Sequence, residues 1–202
     1  GSGGANGNGT GGSGGGVVRI EASGTATVFG TISASGQDSQ LNYGGGGAGG
    51  SILINCRVLT GGTNGLVRAN GGNGNSNGGS GGGGRIAITY DPAAQALETD
   101  PGVRMQAAAG AVGWRLGQDG TVYLPNEEFL SSSIQDQLFR NVRLFIPNFT
   151  NWIVDSLTIN NSSFVFGQTN FVLTIAGDFL IRNGGFGLSG GSIRDCTGHL
   201  RL

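Results

Sequence analysis

Apolar residues two positions apart recur along the first 125 residues at a nearly constant interval. The pairs Val18/Ile20, Ile52/Ile54, Ile86/Ile88 and Val122/Leu124 follow one another at steps of 34, 34 and 36 residues. A second series, Ile32/Ala34, Val67/Ala69 and Met105/Ala107, steps by 35 and 38. Period-two alternation puts such pairs on one face of a β-strand, so each unit reads as two short strands. The stretch Tyr43–Tyr90 displays one complete unit. A glycine tract at Gly44–Gly50 leads into Ser51-Ile52-Leu53-Ile54-Asn55, then Gly65-Leu66-Val67-Arg68-Ala69, and a second tract at Gly78–Gly84 leads into Arg85-Ile86-Ala87-Ile88.

Fixed-period units with few apolar side chains each cannot bury those side chains alone, so neighbours must cover both faces. The pattern therefore predicts an all-β chain, a parallel β-helix or β-solenoid, with polyglycine-II-like tracts between rungs. Val18, Ile20, Ile52, Ile54, Ile86, Ile88, Val122 and Leu124 are expected to form its structural rungs. The insertion Asp91–Leu97 lengthens the third unit and reads as one short helical turn.

Beyond Pro125 the texture changes. Residues 126–140 carry Leu130, Ile134 and Leu138 four apart, which reads as either a short helix or an irregular crossover. From residue 141, short apolar runs resume without long glycine tracts: Val142–Ile146, Trp152–Asn160, Ser163–Phe166, Phe171–Ile175, Phe179–Ile181 and Phe186–Leu188. The expected organisation is thus repeats over 1–125, a crossover over 126–140, and a β-helix-like region over 141–202.

Glycine changes this picture more than any other residue type: 31 of the 44 glycines fall in residues 1–90. The tracts lack a Gly-X-Y period, which excludes collagen, and no Gly-Lys-Ser/Thr follows a strand, which excludes a phosphate loop. Tracts of equal length and placement before Ile52 and Ile86 predict packed backbone rather than slack linker. The net charge is −1 and there is no basic or acidic block, so neither nucleic acid nor an anionic membrane is an implied partner. No apolar run is long enough to span a bilayer. All eleven basic residues are arginine, and Arg19, Arg68, Arg104 and Arg143 each sit between two apolar strand residues, so they are expected to point outward.

The segments Gly44–Ile54, Leu66–Gly72, Gly81–Ile88 and Gly120–Leu124 resemble the glycine-rich repeats of very large secreted or surface proteins of bacteria and plants. In those proteins a GGGGxGGSIxI and GGGGRIxI pattern recurs and ends in a GTxY segment before a β-rich region. The likeness covers residues 11–125 and, more loosely, 141–200; the insertion at 91–101 departs from it. It implies an extracellular β-rich scaffold and carries no catalytic residue onto this chain.

Candidate chemistry is sparse. His199 is the one histidine and has no nucleophile elbow or ligand spacing beside it. The close carboxylates, Glu127/Glu128 and Glu98/Asp100, fall in loop or insertion sequence rather than on successive rungs. Gly117-Gln118-Asp119-Gly120 and Gly36-Gln37-Asp38 share fragments with calcium-binding repeats but lack an aspartate in every turn. Cys56 and Cys196 form either one disulfide or two buried thiols. Asn8, Asn148, Asn160 and Asn161 occupy N-glycosylation sequons.

No enzyme, cofactor or metal is expected. The leading expectation is a structural protein of the cell surface or exterior, a piece of a longer or processed chain, that assembles with itself into a filament or sheath. The rival expectation is an adhesin or glycan-binding module using outward arginines and the aromatics Tyr43, Tyr90, Trp114 and Tyr123.

Overall fold

The computed structural model describes residues 2–4, 10–40, 42–62, 64–75, 77–99, 102–194 and 200–201. The chain opens with β1 (Val17–Glu21), β2 (Thr25–Val28), β3 (Thr31–Ser33), β4 (Ser51–Asn55), β5 (Val58–Gly61), β6 (Leu66–Arg68) and β7 (Arg85–Thr89). A single helical turn, α1 (Pro92–Gln95), precedes β8 (Arg104–Gln106), β9 (Thr121–Tyr123), β10 (Ser133–Ile134) and β11 (Phe139–Phe145). The remainder is β12 (Asn151–Val154), β13 (Leu157–Asn160), β14 (Ser163–Phe166), β15 (Phe171–Ile175), β16 (Phe179–Arg182), β17 (Gly185–Leu188), β18 (Gly191–Arg194) and β19 (Leu200–Arg201).

The protein is all-β, and every strand pair is parallel, an arrangement compatible with a β-helix. Strands stack in columns. One column runs β1-β4-β7-β9-β11, with Val18 opposite Ile52, Ile52 opposite Ile86, and Ile86 opposite Val122. Ile20, Ile54 and Ile88 form the row beside them, and Leu124 follows Tyr123 at the end of β9, fully buried. A second column runs β3-β6-β8-β11, with Ile32, Val67 and Met105 in register.

The two columns converge on β11. Its Phe139 and Arg140 pair with Met105 and Gln106 of β8, while Arg143, Leu144 and Phe145 pair with Thr121, Val122 and Tyr123 of β9. In earlier layers the corresponding strands are separated by residues 34–50, 69–84 and 107–120. Each of these glycine-rich segments is therefore a lobe inserted into what is elsewhere one continuous strand. Asn141 takes the lobe's place, at φ 50 and at a shift in register between Arg140 and Val142. Asparagine tolerates that left-handed conformation better than most side chains. The segment 126–140 contains no helix; it supplies β10 and the start of β11 to the same stack, and Ile134 is fully buried there.

From β12 onward each circuit is shorter. Leu157 lies opposite Phe179, and Ser163 opposite Gly185, 22 residues later in each case. The run Trp152–Asn160 is broken into β12 and β13 by a corner. Phe139, Phe164, Phe166 and Phe171 are fully buried, with Phe166 and Phe171 stacked at 4.1 Å.

The lobes are ordered backbone. Gly47 and Gly50 donate to Gln37 and Ala34 within their own lobe, while Gly46 and Gly49 donate to Gly79 and Gly82 of the next. The carbonyls of Gly45 and Ala48 accept from Gly12 and Gly15 of the preceding tract, and that of Gly47 accepts from Gly72. Each direction repeats every three residues. A strand presents its peptide groups to two sides only, so the tract bonds like a threefold screw.

Side-chain tolerance follows the same period. A Cβ on Gly84 would lie 2.0 Å from the Gly50 oxygen, whereas one on Gly82 would be 3.4 Å from its nearest neighbour, the Gln118 oxygen. Ala48, one repeat before Gly82, already carries a methyl group. Gly84→Ala is therefore expected to destabilise the protein by about 1–3 kcal/mol, as overpacking does. Gly82→Ala should hold or slightly raise the melting temperature through the unfolded state. Thermal unfolding followed by circular dichroism compares them, and equal effects would contradict the three-residue lattice.

The third layer shows a different substitution of backbone by side chain. Among the described residues no strand of that layer stacks on β5, and α1 lies against it instead. Asp91 caps α1 by accepting from the Ala93 and Ala94 amides. The buried Gln95 carboxamide then accepts from Leu59 N–H at 2.8 Å and donates to Leu59 C=O at 2.9 Å, standing in for the missing peptide group. Gln95→Ala leaves two buried backbone groups unpaired and should cost about 2–4 kcal/mol, read as a lower urea midpoint.

Candidate functional site

The outward arginines do not form one ladder. Arg19 pairs with Glu21 on its own exposed strand. Arg68 donates to Ser33 Oγ, and Arg104 is half-buried with its guanidinium tied to the Asn64 and Gly65 carbonyls. Arg85 and Arg143 share a column but Thr121 stands between them.

The four aromatics part company. Tyr43 and Trp114 are exposed, and Tyr123 stacks half-buried on Phe145 at 6.2 Å. Tyr90 is buried, which corrects its expected place on the surface: at the end of β7 it turns inward against Phe129, and its hydroxyl donates to Asn126 Oδ1 at 2.6 Å. Burial first, then the nearby Glu128 carboxylate, pushes its hydroxyl pKa far above the usual phenol value. A raised folded-state pKa means the folded protein holds that proton more tightly than the unfolded chain. Its contribution is complete below about pH 10, the unfolded value, and is lost as pH rises beyond it. Tyr90→Phe should flatten the alkaline fall in stability between pH 9 and about 12, measured by denaturant titration at each pH.

The structure brings Glu98 and Glu128 together at one pocket, which Asp136, Arg104 and Gln135 also line. Sequence spacing could not foresee this, because the three carboxylates come from separate loops; Asp100 lies outside the described residues. Among the described residues no group of three or more His, Cys, Asp or Glu side chains is placed to hold a metal ion. Cys56 is a buried free thiol whose pKa is raised by burial. Cys196, His199 and Asn8 lie outside the described residues. Asn148 and Asn161 are exposed at left-handed turns, with φ 59 and 57, and Asn160 is half-buried.

A polar groove follows one corner of the later layers. Gln137, Arg140, Asn141, Asn161 and Asn183 line it, and four of these, Gln137, Asn141, Asn161 and Asn183, have left-handed backbone. Amide and guanidinium groups there can exchange hydrogen bonds with hydroxyls.

The strongest candidate site is an open edge. Among the described residues β1, β2 and β3 each pair with one neighbour. Val18, Ile20, Ala26 and Ile32 on these strands are partly exposed, whereas their register partners Ile52, Ile54, Leu59 and Val67 are at most 1% exposed. Val17 and Phe29 are exposed on the same layer. Such an edge is where a further parallel layer fits, whether from the same chain or from another. Among the described residues no helix is long and apolar enough to cross a membrane. Comparison with protein-family models, curated proteins and solved structures found no match.

Proposed function

We propose that this chain is a structural scaffold element of the cell exterior, a parallel β-solenoid whose glycine tracts pack in a polyglycine-II-like lattice. The observation that carries this reading is the three-residue hydrogen-bond repeat linking each lobe to its neighbours, as in Gly46 and Gly49 to Gly79 and Gly82. A polyproline-II-type helix makes no internal hydrogen bonds, so all its peptide groups are free to cross-link adjacent helices. Such a lattice adds a second bonded stack beside the strand ladders, and both resist separation of layers. The likeness to glycine-rich repeats of secreted and surface proteins supports the exterior setting. Parallel layers stacked in register support assembly into a filament or sheath, since each layer face matches the next.

An adhesin is the second reading, favoured by the groove of Gln137, Arg140 and the corner asparagines and by exposed Trp114. Single-molecule stretching separates the two. A scaffold should yield layer by layer, with length increments near 12 nm for a 34-residue layer and about 8 nm for a 22-residue one, at ~3.5 Å per residue. Extension without force peaks, or capture of a specific oligosaccharide on a glycan array, would overturn the scaffold reading.

A further inference from the structure

Seven asparagines in this chain are followed by glycine. Five of these pairs are described: Asn64-Gly65, Asn70-Gly71, Asn73-Gly74, Asn77-Gly78 and Asn183-Gly184. Such a pair carries chemistry of its own. Glycine has no side chain to hold the preceding carboxamide away, so its amide nitrogen can attack that carbonyl carbon and close a five-membered ring. The attack needs the nitrogen freed of its proton and turned toward the side chain. A peptide N–H already held in a hydrogen bond resists both changes.

Four of the five pairs are held in that way. Gly65 N–H donates to the Gly62 carbonyl at 2.7 Å, and Gly78 N–H to that of Asn75 at 2.8 Å. Gly71 and Gly74 donate across the lattice to Ala108 and Val112, each at 2.8 Å. Two carboxamides are occupied as well: Asn70 Oδ1 accepts from Ala108 N–H, and Asn73 Oδ1 from those of Ala111 and Val112. Asn183-Gly184 differs on every count. Both residues are exposed, and Asn183 is left-handed at φ 48. Among the described residues neither Gly184 N–H nor the Asn183 carboxamide has a hydrogen-bond partner. Asn161 shares the same corner one layer earlier and the same conformation, at φ 57, but the residue after it is the buried Ser162, whose side chain obstructs the approach.

We infer that Asn183 is a site of spontaneous deamidation and main-chain rearrangement. Gly184 N forms a bond to Asn183 Cγ as the Cγ–Nδ2 bond breaks, and ammonia leaves carrying the amide proton. Water then opens the succinimide at either carbonyl. One opening leaves aspartate; the other leaves isoaspartate, whose main chain runs through the former side chain and is one methylene longer. The inference goes beyond the scaffold reading and holds equally for an adhesin. Its place gives the reaction a consequence. A Cβ on Gly184 would lie 2.1 Å from the Ser162 oxygen, and hydrogen bonds from Asn161 N–H to Arg182 and from Gly185 N–H to Ser162 flank the corner. A longer main chain has no room there, so isoaspartate loosens β16 and β17 from β13 and β14. In either product a carboxylate joins the groove that Arg140 lines.

The test incubates the whole chain, folded and in urea, in warm, mildly alkaline buffer. Peptide mapping by mass spectrometry follows each Asn-Gly pair, and enzymatic methylation detects isoaspartate. In the folded chain Asn183 should convert about as fast as in urea, while Asn64, Asn70, Asn73 and Asn77 slow by roughly tenfold or more because they must wait for local opening. Asn183→Gln, whose longer side chain closes the ring poorly, should abolish conversion there and keep the melting temperature. The isoaspartate fraction should melt below the parent, whereas Asn183→Asp, which adds the charge without lengthening the chain, should melt close to it. Conversion of Asn183 as slow as that of the bonded pairs, or equal rates at all five pairs in the folded chain, would overturn the inference. An isoaspartate fraction that melts with the parent would overturn its effect on the layers.

Discussion

The approach of one backbone to another at hydrogen-bonding distance, with no room for a β-carbon between them, governs this molecule. Where Gly84 passes Gly50, and Gly50 passes Gly16, a methyl group would sit 2.0 Å from a carbonyl oxygen. That constraint fixes the lobe spacing to the strand spacing, because both stacks share the same residues at their junctions. The strand ladders alone hold small layers of three to five residues per strand. The lobes add backbone hydrogen bonds between early layers, such as Gly46 to Gly79 and Gly49 to Gly82, beside those of the strand ladders.

Where the lobes stop, other devices take over. Asn141 closes the gap between two strand halves in a left-handed turn, and β11 bonds both earlier columns at once. The later core is aromatic, with Phe149, Trp152, Phe164, Phe166, Phe171 and Phe186 in mutual ring contact. Large side chains there do inside the stack what backbone lattices do beside it. Gln95 follows the same logic on the scale of one residue, replacing an absent strand with a carboxamide.

The third lobe differs from the earlier ones in carrying the exposed side chains of Val112, Trp114 and Leu116. The carboxylates Glu98, Glu128 and Asp136 come from loops, whereas the asparagine corner includes Arg140 and Asn141 of β11 and is part of the stack.

The columns Val18-Ile52-Ile86-Val122 and Ile32-Val67-Met105 were legible in the amino-acid order, because inward side chains must repeat at the layer period and only apolar ones suit a dry interior. The glycine tracts were legible as something packed, since their length and place recur. The partners of those tracts were not. Bonds between peptide groups of Gly46 and Gly79, or Gly47 and Gln37, leave no signature in side chains, so nothing in the order of residues says which backbone faces which. For the same reason β2 and β5 were missed: Thr25–Val28 and Val58–Gly61 are short corner strands that only stacking makes regular. Tyr90 was misplaced because its neighbours Phe129 and Asn126 lie 36 residues or more along the chain. The sequence by itself determined the period, the strand faces and the demand for bare backbone. The tertiary structure alone decided that the lobes are insertions into single strands, and which peptide groups of neighbouring tracts bond to one another, because both depend on contacts between layers and not on any residue's own preference.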